Sequence, residues 1–337
     1  MAVWFAWLQF LLCVVLIGVA GTYLSRYGDV IAEKTGLGGT WIGLILLATV
    51  TSLPELITGV SSVTLAGTPN IAVGDVLGSC VFNLLILVIL DFLQREESVY
   101  SRASQGHILS AGFGLILISI VAFNLQLAVN GGVPRFGHVG IYTPVILLLY
   151  AVAMRTVFFY ERNHREAFHE ERAERYADVT LRQAGQRYAM AAGVVVAAGI
   201  WLPFVGEQLA RLMGWHQTFV GTLFVAAATS VPEVVVTIAA VRIGALDLAI
   251  SNLLGSNVFN IAILAVDDLL FLNGPLLSNV SPMHTVSALS AMMMTGIVIV
   301  GLFYRPRKRF IRGVGWAALF LLVIYLLNTS ILYLRGG

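Results

Sequence analysis

Apolar residues in this chain gather into long unbroken runs, each ended by a short polar, glycine or proline interruption, rather than alternating or marking one helical face. Runs of that kind match the roughly 20 residues a helix needs to cross bilayer hydrocarbon. The pattern predicts ten helices, at about 3–24, 40–66, 70–91, 106–127, 139–159, 188–210, 217–241, 245–270, 284–303 and 311–333. The stretch Trp4 to Tyr23 lacks a basic leader, and no small-residue cleavage motif follows, so it reads as a retained first span. The expected fold class is therefore an all-α integral membrane protein.

Composition agrees. Of 337 residues, 58% are apolar and 11% charged, against about 25% charged in a soluble domain. Cys13 and Cys80 both lie inside apolar runs, with no zinc-site or disulfide spacing. All of the 20 Lys and Arg residues except Arg135, Arg211 and Arg335 fall in one alternate set of connections. Cationic loops stay cytoplasmic, so both termini are expected on the extracytoplasmic side. The stretch Glu161 to Arg187 mixes five Glu and one Asp with six Arg and reads as a solvated helix or linker laced by ion pairs.

Comparing the chain with itself is more informative. Residues 48 to 55 read Ala-Thr-Val-Thr-Ser-Leu-Pro-Glu and residues 226 to 233 read Ala-Ala-Ala-Thr-Ser-Val-Pro-Glu. A second pair follows: Asp75-Val-Leu-Gly-Ser-Cys-Val-Phe-Asn83 against Asn252-Leu-Leu-Gly-Ser-Asn-Val-Phe-Asn260. Gly43, Gly67 and Asp91 likewise find Gly221, Gly244 and Asp268. The copies lie five spans apart, and an odd separation turns them antiparallel. The expectation is two inverted five-helix repeats, at 1–160 and 188–337, joined by the charged linker 161–187, with sites near the midplane where the repeats meet.

An acid at mid-span is costly and is a functional candidate by default; here Glu55 and Glu233 form a matched pair. Helical spacing puts Thr51 and Ser52 on the face of Glu55, and Thr229 and Ser230 on that of Glu233. Calcium takes six to eight hard oxygens, and this set supplies carboxylates and hydroxyls. Pro54 and Pro232 each remove a helical amide and loosen the turn, exposing carbonyls. Ser79 with Asn83, and Ser256 with Asn260, form polar stripes beside Gly78 and Gly255, serving either as contacts between helices or as ligands. Asp75 reads as a helix cap in preference to a vestibule charge.

These motifs resemble the calcium/cation antiporter superfamily, in its sodium/calcium exchanger branch of the prokaryotic type. Two repeats carrying Thr-Ser-x-Pro-Glu and Gly-Ser-x-x-Phe-Asn look like that family's ion-binding elements. The resemblance implies an antiporter of the plasma (inner) membrane that exchanges Ca2+ for Na+, without a cofactor, a nucleic acid or an obligate protein partner. It implies ligation by the oxygens of Glu55, Glu233, Thr51, Ser52, Thr229, Ser230, Ser79, Asn83, Ser256 and Asn260, and by the carbonyls of Ala48 and Ala226. Rocking of a helix group around spans one and six would alternate access. Two departures stand out: Cys80 replaces an Asn usual after Gly-Ser, and neutral Asn260 argues against potassium co-transport.

The alternative is exchange of calcium or another divalent cation for protons. Members of that branch usually show Gly-Asn where this chain has Thr51-Ser52 and Thr229-Ser230, and hydroxyls suit sodium better. An intramembrane enzyme is disfavoured, since no His-Glu-x-x-His or Gly-x-Ser-x-Gly element occurs and the six histidines fall in loops or near span ends. A passive channel fits inverted symmetry and broken helices less well than alternating access does.

Overall fold

The computed structural model describes residues 3–35, 49–93, 98–164, 178–242, 245–306 and 315–335. Among these, eight helices are long and apolar enough to cross a membrane, and nine if one bent pair counts as a single span. The main helices are α1 (Val3–Lys34), α2 (Leu53–Ser61), α3 (Pro69–Leu93), α4 (Gly106–Val129), α5 (Tyr142–His164), α6 (Leu181–Met213), α7 (Val231–Arg242), α8 (Leu246–Leu270), α9 (His284–Tyr304) and α10 (Trp316–Arg335). Residues 49–51 lead into α2, and Ser62–Ala66 continues it as a wider π-turn. Gln217–Phe219, a π stretch at Val220–Val225 and Ala226–Thr229 lead into α7 across a bend of 44°. A two-residue hairpin, Arg135–Phe136 with Val139–Gly140, precedes α5.

Three predicted boundaries move outward for a shared reason. α1 runs to Lys34, α5 to His164, and α6 starts at Leu181, because a helix keeps its own backbone paired and does not stop where the hydrocarbon stops. At α6, Thr180 and Gln183 form a reciprocal capping box that fixes the start. The ends of the charged stretch are thus helical; residues 165–177 lie outside the described residues, as do 40–48 of the predicted second span.

α3 and α8 form the centre, each 78% buried, whereas α5 is 22% and α1 and α10 are 28% buried. The outer helices present Trp4, Leu8, Leu11, Val15, Leu148, Leu326 and Leu334 outward, as lipid-facing helices must. Close approach depends on glycine. A methyl on Gly78 of α3 would lie 2.7 Å from Ala226 Cβ, and one on Gly74 would meet Thr222 N at 3.0 Å. α1 lays Gly18 and Gly21 against Val231 and Pro232, at the bend before α7, and α6 lays Gly199 against Ile57 of α2.

The repeat-related Asp91 and Asp268 are structural clamps. Asp91 accepts from Ser98 Oγ (2.9 Å), Val99 N (3.0 Å) and Gly315 N (3.1 Å), tying the end of α3 to the approach to α10. Asp268 accepts from Gly140 N (2.9 Å), Leu276 N (2.6 Å), Tyr142 OH and Thr143 Oγ1, tying the end of α8 to the start of α5. Asp268→Ala strands four buried donors, each costing about 1–3 kcal/mol if left unmet. It should lower the melting temperature of the purified protein sharply; an unchanged melt would show that the clamp contributes nothing.

Candidate functional site

Both motif helices break at the serine before Pro-Glu. Ser52 has φ −88° and ψ 14°, and Ser230 has φ −82° and ψ 6°, sparsely populated values that end one helical segment and start another. Proline two residues on cannot donate the bond that would continue the ladder, and its fixed φ suits a helix's first turn. Glu55 and Glu233 therefore fall in the first turns of α2 and α7, where the positive end of the helix dipole favours negative charge. Both side chains are fully buried.

Helical spacing predicts that each serine accompanies its own glutamate, and the break changes that. Ser52 Oγ donates to Glu233 Oε1 at 3.1 Å, and Ser230 Oγ donates to Glu55 Oε1 at 3.3 Å. Each repeat thus supplies the hydroxyl for the other repeat's acid. The partner helices add a second donor: Ser79 Oγ reaches Glu55 Oε1 at 3.4 Å and Ser256 Oγ reaches Glu233 Oε1 at 3.3 Å. Ser230 Oγ also lies 3.0 Å from Ser79 Oγ, and Thr51 Oγ1 lies 3.3 Å from Ser256 Oγ. The Oε2 atoms of both glutamates are buried without a hydrogen-bond partner.

The threonines extend the same pattern. Thr51 Oγ1 donates to Asn252 Oδ1 at 3.4 Å, and Thr229 Oγ1 donates to Asp75 Oδ1 at 2.8 Å. Asp75 is the residue the sequence misplaces. It is neither a cap nor a vestibule charge, because α3 begins at Pro69 and Asp75 is wholly buried beside Thr229 with its Oδ2 unpartnered. Its pairing with Asn252 in the self-comparison is the signal that could have found both.

Asn83 makes a contact between helices through one of its two polar atoms. Its Nδ2 donates to Asn257 Oδ1 at 3.0 Å, and Asn257 Nδ2 donates to Cys80 O at 3.1 Å, so these amides join α3 to α8. Asn260 is buried with neither side-chain polar atom hydrogen-bonded. Ala226 O accepts from Ser230 N at 3.0 Å, closing the last helical turn before the break. Ala48 lies outside the described residues. Among the described residues no group of three or more His, Cys, Asp or Glu is gathered to hold a metal ion; the oxygen set here rests on two acids with hydroxyls and amides.

A multi-pass helical protein with paired buried carboxylates has the features expected of a membrane transport protein. The family model described as sodium/calcium exchanger protein matches residues 5–159 and 187–333, and the chain belongs to that family. It is a family of exchangers, not enzymes. The chain is 27% identical over 292 residues to the inner membrane protein YrbG of Escherichia coli (strain K12), covering 85% of each chain. It is 26% identical over 283 residues to the sodium/calcium exchanger MaX1 of Methanosarcina acetivorans, covering 74% of this chain and 79% of that one. Among solved structures, the H+/Ca2+ exchanger CAX superimposes with a TM-score of 0.67 at 14% identity, over 98% of this chain and 86% of that one. The sodium-calcium exchanger NCX_Mj, soaked with Na+ and no Ca2+, does so with a TM-score of 0.61 at 20% identity, over 98% of this chain and 99% of that one. The chain is thus an integral membrane protein of the calcium and cation exchanger family, and neighbours of both coupling types share its fold.

Gly78→Val tests the packing that brings α3 to the site. The added methyls would strike Ala226 and Thr222, and overpacking typically costs about 1–3 kcal/mol. Reduced yield of monodisperse protein in detergent is expected; wild-type yield and melting would refute the close contact.

Proposed function

We propose that this chain is a secondary antiporter exchanging Ca2+ for Na+ by alternating access, built as two inverted five-helix repeats with the second and seventh spans broken. The crossed pairing of Ser52 with Glu233 and of Ser230 with Glu55 carries the reading. Related by the repeat, these pairs put two carboxylates and their hydroxyls around one point between the halves. That arrangement supplies a double negative charge and hard oxygens suited to one divalent ion.

Glu55, Glu233, Ser52, Ser230, Ser79, Ser256, Thr51 and Thr229 form the proposed ligand shell. Asn83, whose Oδ1 is unpartnered, and Asn260 belong to the same proposed set, as do, by the family resemblance alone, the carbonyls of Ala48 and Ala226. Sodium and calcium compete for these oxygens. Two buried carboxylates with no cation between them are penalised by repulsion and lost hydration, so the site crosses loaded with one ion or the other, and this couples the fluxes. The glycine contacts of α1 with the α7 bend, and of α6 with α2, support a sliding helix pair that opens one side at a time. The loop-charge asymmetry supports termini on the extracytoplasmic side of the inner membrane.

Proton coupling is the second reading, favoured by the fold shared with a H+/Ca2+ exchanger and by the extra acid, Asp75, against the site. Calcium-45 uptake into proteoliposomes separates them. A sodium gradient at fixed pH should drive uptake, and a pH gradient without sodium should not; the reverse result would reassign the coupling ion. Glu55→Gln and Glu233→Gln should each abolish exchange, and normal flux in both would end the proposal. Ser52→Ala removes a hydrogen bond to a charged group worth about 1.5 kcal/mol, so apparent calcium affinity should weaken by roughly tenfold.

Gly21→Val probes the motion apart from the binding. The larger side chain would lodge against Pro232, so calcium should still raise the melting temperature while exchange slows strongly. Exchange at the wild-type rate would exclude movement of α1 across the bend.

A further inference from the structure

Next to the satisfied Asp268 stands a second acid with the opposite surroundings. Asp267 of α8 is wholly buried, and neither of its carboxyl oxygens has a hydrogen-bond partner. The repeat-related position in the first half is Leu90, also buried, so Asp267 has no counterpart in the symmetric ion site and no part in the clamp. Its carboxyl group lies against Gly59 of α2, one helical turn beyond Glu55. A methyl placed on Gly59 would come within 2.8 Å of Asp267 Oδ1 and 2.9 Å of Asp267 Cγ. Among the described residues, the charged groups that act on it are both acids, Asp75 from α3 and Asp268 beside it on α8.

An isolated carboxylate in such a place has lost its water and gained repulsion, with no cation or donor to offset either. A metal ion would need several converging oxygens, yet the face toward α2 is occupied by the Gly59 backbone. A proton needs only the carboxyl itself. We infer that Asp267 is a proton-binding site, separate from the ion-binding glutamates, whose neutral form lets α2 close against α8 at Gly59. The proton is taken from and returned to water: the O–H bond formed at Asp267 breaks when the carboxyl meets solvent, leaving a carboxylate that has to be hydrated. Hydration separates α2 from α8 at Gly59, because no water fits between a glycine backbone and a carboxyl group in contact with it. Proton loss therefore holds α2, and with it Glu55, away from the closed position. In this structure Gly59 and Asp267 touch, so the arrangement is that of the proton-loaded form.

The transport consequence rests on the exchanger reading, whereas the proton site does not, and the test keeps them apart. Infrared difference spectra of the full-length protein in lipid, wild type minus Asp267→Asn, should contain the carbonyl stretch of a protonated carboxyl. That band should disappear as pH is raised and be insensitive to sodium at fixed pH. In proteoliposomes, wild-type calcium exchange should fall by roughly tenfold over the pH interval in which the band is lost, while Asp267→Asn changes by less than about twofold. No protonated band at any pH, or a band removed by sodium, would overturn the proposal, and so would a variant as pH-sensitive as wild type. Asp267→Leu, which copies Leu90, serves as the second neutral variant. Failure of both to fold would show that the position requires negative charge and would also overturn it. If neither protein exchanges calcium, the infrared result still decides the proton site and only the exchanger reading falls.

Discussion

Two carboxylates held inside a membrane protein, without a basic side chain hydrogen-bonded to either among the described residues, set the terms for everything around them. Glu55 and Glu233 are fully buried, and serine hydroxyls donate to both. A hydroxyl offsets only part of the hydration an ionised acid loses on burial. The remainder is met by a cation or by protonation. The break at each serine, the helix N-terminus beside each acid and the small residues that admit neighbouring backbones all follow from making that burial bearable while leaving one oxygen of each carboxylate open.

The two copies of the motif share this burden by exchanging parts. Serine of one half binds the acid of the other, glycine of α1 packs on the α7 bend as glycine of α6 packs on α2, and Asp91 and Asp268 tie corresponding helix ends. Crossed contacts make the site depend on how the two motif helices sit against one another, so displacing either one changes both carboxylates at once. Symmetry fails where chemistry is tuned: Asp75 opposite Asn252, Cys80 opposite Asn257, and Asp267 opposite Leu90. In each repeat a threonine donates to the residue at the first of these positions, one an acid and one an amide. The environment of Glu55 thus differs in charge from that of Glu233.

What the sequence made legible was whatever is periodic or repeated. Long apolar runs located the membrane helices, and Thr-Ser-x-Pro-Glu occurring twice pointed to both acids. The pairing of Ser52 with Glu233 was not legible, because i,i+3 geometry holds only within an unbroken helix and the same Pro54 that marks the motif ends that helix before it reaches Ser52. The bond of Asn83 to Asn257 was hidden for a related reason: a polar residue on the face toward α8 can serve a ligand or a neighbouring amide, and sequence spacing is the same for both. Helix ends were missed at α1 and α6 because charged residues that leave the hydrocarbon do not leave the helix.

Adjacent acids at the end of α8 show how far burial alone is from assigning a role. Asp268 has four donors, so its charge is shared over a hydrogen-bond network that pins three segments, and the position behaves as architecture. Asp267 has none and lies on the helix face turned toward α2. A residue kept only for packing at that place would be served by an apolar side chain, as Leu90 serves the corresponding place in α3. An unmet acid against a glycine destabilises the closed arrangement whenever it is charged and permits it whenever it is neutral. A group whose protonation decides whether two helices touch, one turn from the buried Glu55, ties proton occupancy to the position of α2 without drawing on either motif glutamate.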